Sequence, residues 1–286
     1  MQDGGLLRGW GVFGLTGLVG ESLRAQLQPD DPLAWAVTRR VPADGDGLPW
    51  RVGSLPGLEA PPPVQAIASL GPLDAFTDWF EAAPLSPQRL VVLGSTSRHG
   101  KADSPDPAER ELARTLADCE ARLQASCDGR GTVLTLLRPT LIWGRGRDRN
   151  LARWVALARR WRWLPLPRVA RGLRQPIHAD EVAAAVLAAL RAPAPVPGAF
   201  DLPGGETLAY DQMVLRCLAS AAPGSRLVRL PMPLFRLAVA LAGRRYAGPG
   251  AVARLNRDLA YDAKPARAAL GLAPGPFRPR KDDFPG

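Results

Sequence analysis

At 286 residues, 46% of them hydrophobic, the chain can bury a sizeable core as one large domain or as a domain with a smaller lobe. Its 37 Lys and Arg against 27 Asp and Glu give a formal charge of +10, nearly all of it arginine, because Lys101, Lys264 and Lys281 are the only lysines. The same Ala, Arg, Pro and Gly bias pervades the whole chain, so the charge predicts an anionic small ligand and no nucleic acid.

In chain order, Trp10–Phe13 (WGVF) reads as a strand, and Leu18–Gln28 as a helix stopped by Pro29. Leu33–Arg40 reads as a second strand. A loop-rich stretch from Gly45 to Pro63 holds a short strand at Trp50–Val52, followed by a buried strand at Val64–Leu70, a helix in DAFTDWFEAA and a strand at Arg89–Ser97. Asp106–Ala125 is a long helix with Pro107 at its start and acidic residues in its first turn, which suits the helix dipole. Thr132–Thr140 is a β-branched strand. This alternation predicts an α/β fold, a doubly wound parallel sheet with helices on both faces. Beyond Trp143 come a basic aromatic helix at Arg149–Trp163, a helix capped by Asp180 that ends at Arg191, a strand, turn and helix in GAFDLPGGETLAYDQMVLRCLASA, and an apolar helix in PMPLFRLAVALAGRR. These form a small mixed C-terminal lobe. The expected division is residues 1–145 as the core that carries the sheet and 146–286 as the smaller lobe, interleaved with the last strands of the sheet.

Cys119, Cys127 and Cys217 are widely spread and only two histidines accompany them, so neither a disulfide framework nor a metal site is expected, and a reducing cytoplasm fits. The start MQDGGLLRGWGVFG lacks the pattern of a signal peptide. The apolar run Leu234–Ala242 is about half the length that spans a bilayer, so no transmembrane segment is expected.

GLTGLVG, Gly14 to Gly20, lies between the first strand and the first helix. A dinucleotide turn needs glycine for a tight bend, for close approach of the backbone to a pyrophosphate and for packing of helix on strand. The helix start then offers free N–H groups to the phosphates. An acidic residue ending the second strand would select NAD; Arg39 and Arg40 stand there instead and favour the 2′-phosphate of NADP, with NAD as second choice.

The spacing of Gly14, Thr16, Gly17, Gly20 and Leu23 resembles the TGxxGxxL turn of the extended short-chain dehydrogenase/reductase family, the NAD-dependent epimerases and dehydratases of sugar nucleotides. LRPTLIWGRGRDRN resembles that family's RPxxxYGPG segment, RQPIHADEVAAAV its R-x-x-x-H-x-x-D-V-A segment, and FDLPGGETLAYDQMV its NLGGGE-type turn and helix. The resemblance implies a Rossmann-type core with cofactor contacts at Gly14, Thr16, Gly17, Leu18, Val19, Gly20 and Pro139, and a nucleotide-sugar-like substrate held by Asn150 and Arg174. Gly53-Ser54-Leu55 replaces the GDL that often contacts adenine.

Active members use Tyr-x-x-x-Lys on the helix after the fifth strand, with a serine or threonine at the strand end. The lysine lowers the tyrosine's pKa, since a lone phenol is a poor base at neutral pH. Ser95 matches the hydroxyl, whereas alignment on Glu120 puts Leu112 and Leu116 at the pair. No register restores it, because the tyrosines are Tyr210, Tyr246 and Tyr261. His99, with Lys101 beside it, or else water is expected as the substitute proton donor. Asp118 and Glu120 are expected on an exposed helix face, Cys119 in the core, and His178 as a hydrogen-bonded structural residue.

Two readings follow. One is an atypical NADP-dependent oxidoreductase or epimerase acting on a nucleotide-linked sugar carbonyl. The other is a catalytically silent NADP-binding sensor or assembly factor. The helix with Trp154, Trp161 and Trp163 among its arginines is expected to pack on the substrate lobe, with weak membrane-surface contact as its alternative, and a homodimer is compatible with the sequence.

Overall fold

The computed structural model describes residues 9–43, 47–147, 151–242 and 249–284. Seven strands form one parallel sheet: β1 (Trp10–Phe13), β2 (Leu33–Thr38), β3 (Trp50–Val52), β4 (Ala66–Ser69), β5 (Arg89–Leu93), β6 (Val133–Pro139) and β7 (Gly198–Leu202). Their order is β7-β6-β5-β4-β1-β2-β3, a Rossmann-like arrangement whose order reverses between β1 and β4. β1, β4 and β5 are buried at every residue, as strands covered on both faces must be.

The helices are α1 (Leu18–Arg24), α2 (Leu73–Ala82), α3 (Pro107–Arg130), α4 (Leu151–Trp161), α5 (Ala179–Arg191), α6 (Tyr210–Ala221), α7 (Met232–Ala242) and α8 (Lys264–Leu270). On one face of the sheet, Val19 and Leu23 of α1 meet Val182 and Val186 of α5 and Leu270 of α8. On the other, Phe76 and Phe80 of α2 meet Leu123 and Cys127 of α3, with Phe13 and Trp35 edge to face at 5.5 Å. Arg89, buried in β5, donates to the carbonyls of Ala189, Leu190 and Ala192 and so closes the C-terminus of α5.

Several boundaries differ from the sequence expectation. α1 stops at Arg24 because Gln26 and Leu27 turn back with three-residue bonds to Leu23 and Arg24. α3 runs on to Arg130, where Gly131 at φ 64° supplies a left-handed cap, and at its start the Asp106 carboxylate accepts the Ala108 N–H. The basic helix ends at Trp161, and Trp163–Pro167 forms a short strand parallel to Arg226–Leu230. Asp180 does not cap α5. His178 does, its Nδ1 accepting the Asp180 N–H at 3.1 Å while Glu181 accepts the His178 N–H at 2.9 Å.

Candidate functional site

The site lies at the C-terminal ends of the central strands. Gly14 sits at φ +86° with its backbone against Leu70 and Gly71, a conformation and a proximity that a side chain would oppose. At Gly20 an added Cβ would overlap the Gly14 carbonyl oxygen. Gly17 leads into α1 with no side-chain cap over the first amides, Leu15 and Val19 are buried, and Thr16 and Leu18 each line a separate cavity. Leu18 lines a cavity of about 640 Å³ that runs toward the C-terminal lobe. Thr16 lines one of about 510 Å³ together with Glu21, Arg24 and Arg40. A dinucleotide, two nucleosides on a pyrophosphate bridge, fits a glycine turn with a cavity on either side. Arg39 is exposed and borders neither cavity. Arg147, from the segment after β6, donates to the Thr16 carbonyl at 3.0 Å and pairs with Glu21, so that segment lies against the turn. Pro139 is buried at the end of β6, where its carbonyl accepts the Thr96 N–H and hydroxyl; the next residue, Thr140, lines the larger cavity.

Ser95 lines the larger cavity, and its Oγ accepts the Ser97 N–H at 3.1 Å, which leaves the hydroxyl proton to donate. His99 is not among the lining residues. Its Nε2 faces Asp201 at 3.7 Å, and its ring centre is 6.2 Å from that of Tyr261. Tyr261, from the segment before α8, does line the cavity: its hydroxyl donates to the Thr96 carbonyl at 3.3 Å and lies against Gly100. Burial holds the phenol above its ordinary pKa. Lys101 lines the same cavity, pushed below its ordinary range first by burial and then by the Arg254 charge. Sequence reasoning passed over Tyr261, since nothing in its spacing relates it to Ser95.

Arg174 is buried in the cavity wall, but its guanidinium is engaged with the protein itself. It donates to the carbonyls of Leu173 and Arg257 at 2.7 Å each and of Arg254 at 2.5 Å, and stacks over the Tyr210 ring at 5.2 Å. Burial pushes the Tyr210 phenol up to about 12. Arg254 is paired with Glu109. Lys101 and Arg153 line the same cavity with no carboxylate in salt-bridge range among the described residues. Asn150 lies outside the described residues.

Leu112 is 42% exposed, Leu116 packs against the aromatic layer under the sheet, and neither lines the cavity. Glu120 corrects the expectation of an exposed helix face. It is 5% exposed, takes Arg138 in a fork at 2.9 and 2.7 Å and has Arg98 Nε at 2.8 Å. Asp118 is exposed, and Cys119 is a core residue. His178, besides capping α5, meets Trp143 edge to face at 4.7 Å.

The fold is that of the NAD-dependent epimerases and dehydratases of the extended short-chain type, at low sequence identity. The chain is similar to MoeE5 in complex with UDP-glucuronic acid and NAD, with a TM-score of 0.72 and 17% identity over 96% of this chain and 97% of that one. It is similar to UDP-N-acetylglucosamine 4-epimerase from Bacillus cereus, with a TM-score of 0.64 and 15% identity over 94% and 92% of the two chains. A third similar structure is RMD from Pseudomonas aeruginosa complexed with NADPH, with a TM-score of 0.62 and 14% identity over 96% of each. No family model and no curated protein matches the sequence.

Proposed function

We propose that this chain binds NADP and reduces a carbonyl group of a nucleotide-sugar-like compound, as an atypical oxidoreductase of the epimerase/dehydratase type. The observation that carries the reading is the larger cavity, lined by Leu18 of the glycine turn, Ser95, Tyr261 and the cations Lys101 and Arg153. Structures of this fold with bound UDP-sugar and NAD, or NADPH, support the ligand class. Arg40 beside Thr16 and Arg24 favours a 2′-phosphate, with NAD as second choice.

Bound in its reduced form, NADPH, the cofactor would supply the hydride from its dihydronicotinamide. Ser95 then orients the carbonyl oxygen, and a proton must reach that oxygen as the alcohol forms. We assign that proton to Tyr261 in place of His99, because Tyr261 borders the cavity and His99 turns to Asp201; the phenol's single hydrogen must then rotate away from the Thr96 carbonyl toward the substrate oxygen. A phenol raised by burial stays protonated at neutral pH and so donates rather than abstracts, which favours reduction over the base step an epimerase also needs. Lys101 and Arg153 suit the phosphates of the substrate, a role Asn150 and Arg174 were expected to fill; Arg174 instead fixes the cavity wall. We place the reaction in the cytoplasm; a homodimer is testable by light scattering.

The silent sensor or assembly factor is the second reading, favoured by the absence of any Tyr-x-x-x-Lys in the sequence. Fluorescence titration with NADPH and NADH, followed by a screen of NADPH oxidation with keto-sugar nucleotides, separates the two. Oxidation that is lost in Ser95→Ala supports the reductase. Binding of NADPH without oxidation of any carbonyl leaves the sensor, and failure to bind either dinucleotide overturns both.

A further inference from the structure

From Arg149 to Ala179 and from Gln212 to Arg257 the chain contains no aspartate or glutamate, while each segment carries eight arginines. The fold brings the two together. Trp163–Pro167 pairs in parallel with Arg226–Leu230, Arg226 donates to the Arg162 carbonyl at 3.0 Å, and Arg168 to that of Leu230 at 2.9 Å. Exposed apolar side chains concentrate there as well. Trp161 is 36% exposed, Trp163 41%, Val169 42%, Val228 37%, Leu234 54% and Leu237 56%, and among the described residues outside these segments only Val41, Val52 and Leu112 are comparable. Trp161 and Trp163 stack on each other at 5.9 Å, with their rings 28° apart. In α7, Phe235 points inward at 1% exposed, and Leu234 and Leu237, three residues apart, share the outward face.

An ordinary solvated surface mixes both signs of charge and scatters its apolar residues. Here Arg160, Arg162, Arg168, Arg171, Arg226 and Arg236 are exposed with no carboxylate partner among the described residues. We propose that this lobe docks on the surface of an anionic phospholipid bilayer, the arginines meeting headgroup phosphates and the tryptophans and leucines entering the acyl boundary. Among the described residues no helix is long and apolar enough to cross a membrane, so the contact is interfacial. A nucleic acid would satisfy the arginines but not Leu234, Leu237, Val169 and Val228. A second copy docked on the same patch would set arginine against arginine, which argues against a self-association face. The proposal is independent of turnover, since none of these exposed side chains lines the larger cavity.

The test is co-sedimentation of the full chain with vesicles of phosphatidylcholine alone and with about one part phosphatidylglycerol in three, read together with the tryptophan emission. The expected result is binding to the anionic vesicles alone, with a blue shift, weakened roughly tenfold by added salt. Two double variants, Trp161→Ala with Trp163→Ala and Leu234→Ser with Leu237→Ser, are expected to lower partitioning at least about fivefold while NADPH affinity and Tm hold. Equal partitioning of wild type and both variants, or no binding to anionic vesicles, overturns the proposal. So does equal or tighter binding of duplex DNA that the apolar variants leave unchanged. A dimer in solution that both variants dissolve overturns it in favour of self-association.

Discussion

Tyr261 donates its phenolic hydrogen to the carbonyl of Thr96, 165 positions away in the chain, at 3.3 Å. That bond fixes a tyrosine on the cavity wall next to Ser95 although it comes from a different part of the chain than the helix that carries the family's pair. If Tyr261 supplies the proton, Tyr261→Phe lowers kcat for carbonyl reduction by about a hundredfold to ten-thousandfold and leaves the NADPH dissociation constant within about twofold. His99→Ala changes kcat little, because His99 faces Asp201. Steady-state kinetics on both variants decide the assignment, and the reverse order of effects returns the role to His99.

Glu120 holds Arg138 and stands within ion-pair distance of Arg98 while 5% exposed. Removing the carboxylate takes both close bonds from Arg138, which is also largely covered, and leaves it only the more distant Asp201 at 3.9 Å as counter-charge. Glu120→Ala therefore costs about 3 kcal/mol, a fall in Tm of roughly 6–12 °C for a chain of this size. Glu120→Gln keeps some of the hydrogen bonding and costs less. Thermal denaturation of the two variants measures the difference.

Arg40 borders the smaller cavity with Thr16 and Arg24, whereas Arg39 does not. Arg40→Glu is expected to weaken NADPH roughly tenfold or more and to leave NADH within about threefold, since only the 2′-phosphate meets the altered charge. Arg39→Glu has a smaller effect. Fluorescence titrations give the ratio directly, and an equal loss in both Arg40 and Arg39 variants would reduce the two arginines to a general electrostatic contribution.

The sheet was legible because its central strands are buried on both faces and read as apolar or β-branched runs, LVVL in β5 and TVLTLL into β6 being the clearest. The glycine turn was legible because Gly14 and Gly20 obey local rules of backbone conformation and contact. What escaped was set by long-range geometry. Glu120 has the spacing of a helix surface residue and is buried only because Arg138 of β6 lies across from it. Asp180 looked like a cap because capping favours aspartate, but the ring of His178, two residues earlier, already accepts its N–H. Arg174 matched a substrate ligand by position and does line the cavity; the bonds of its guanidinium to the carbonyls of Arg254 and Arg257, from a distant segment, could not be read from that position.

Asp31, in the turn before β2, accepts Arg191 of α5 through Oδ1 at 2.9 Å and Oδ2 at 2.6 Å, and the Gln28 N–H at 2.7 Å. Burial pushes its pKa up, but the Arg191 bonds and the Gln28 N–H outweigh burial and hold it below the ordinary carboxylate value. With the folded pKa depressed, the unfolded chain binds the proton more readily. The pair's stabilisation is thus complete above the unfolded value of about 4 and is lost as pH falls through the folded value. Because Arg191 is partly exposed, water screens the pair, and Asp31→Asn costs about 1 kcal/mol at pH 7. Urea denaturation of wild type and variant from neutral pH downward is expected to give midpoints that converge once the pH has fallen below the depressed folded value. A gap that persists unchanged there would locate the role of Asp31 in its neutral hydrogen bonds rather than in its charge.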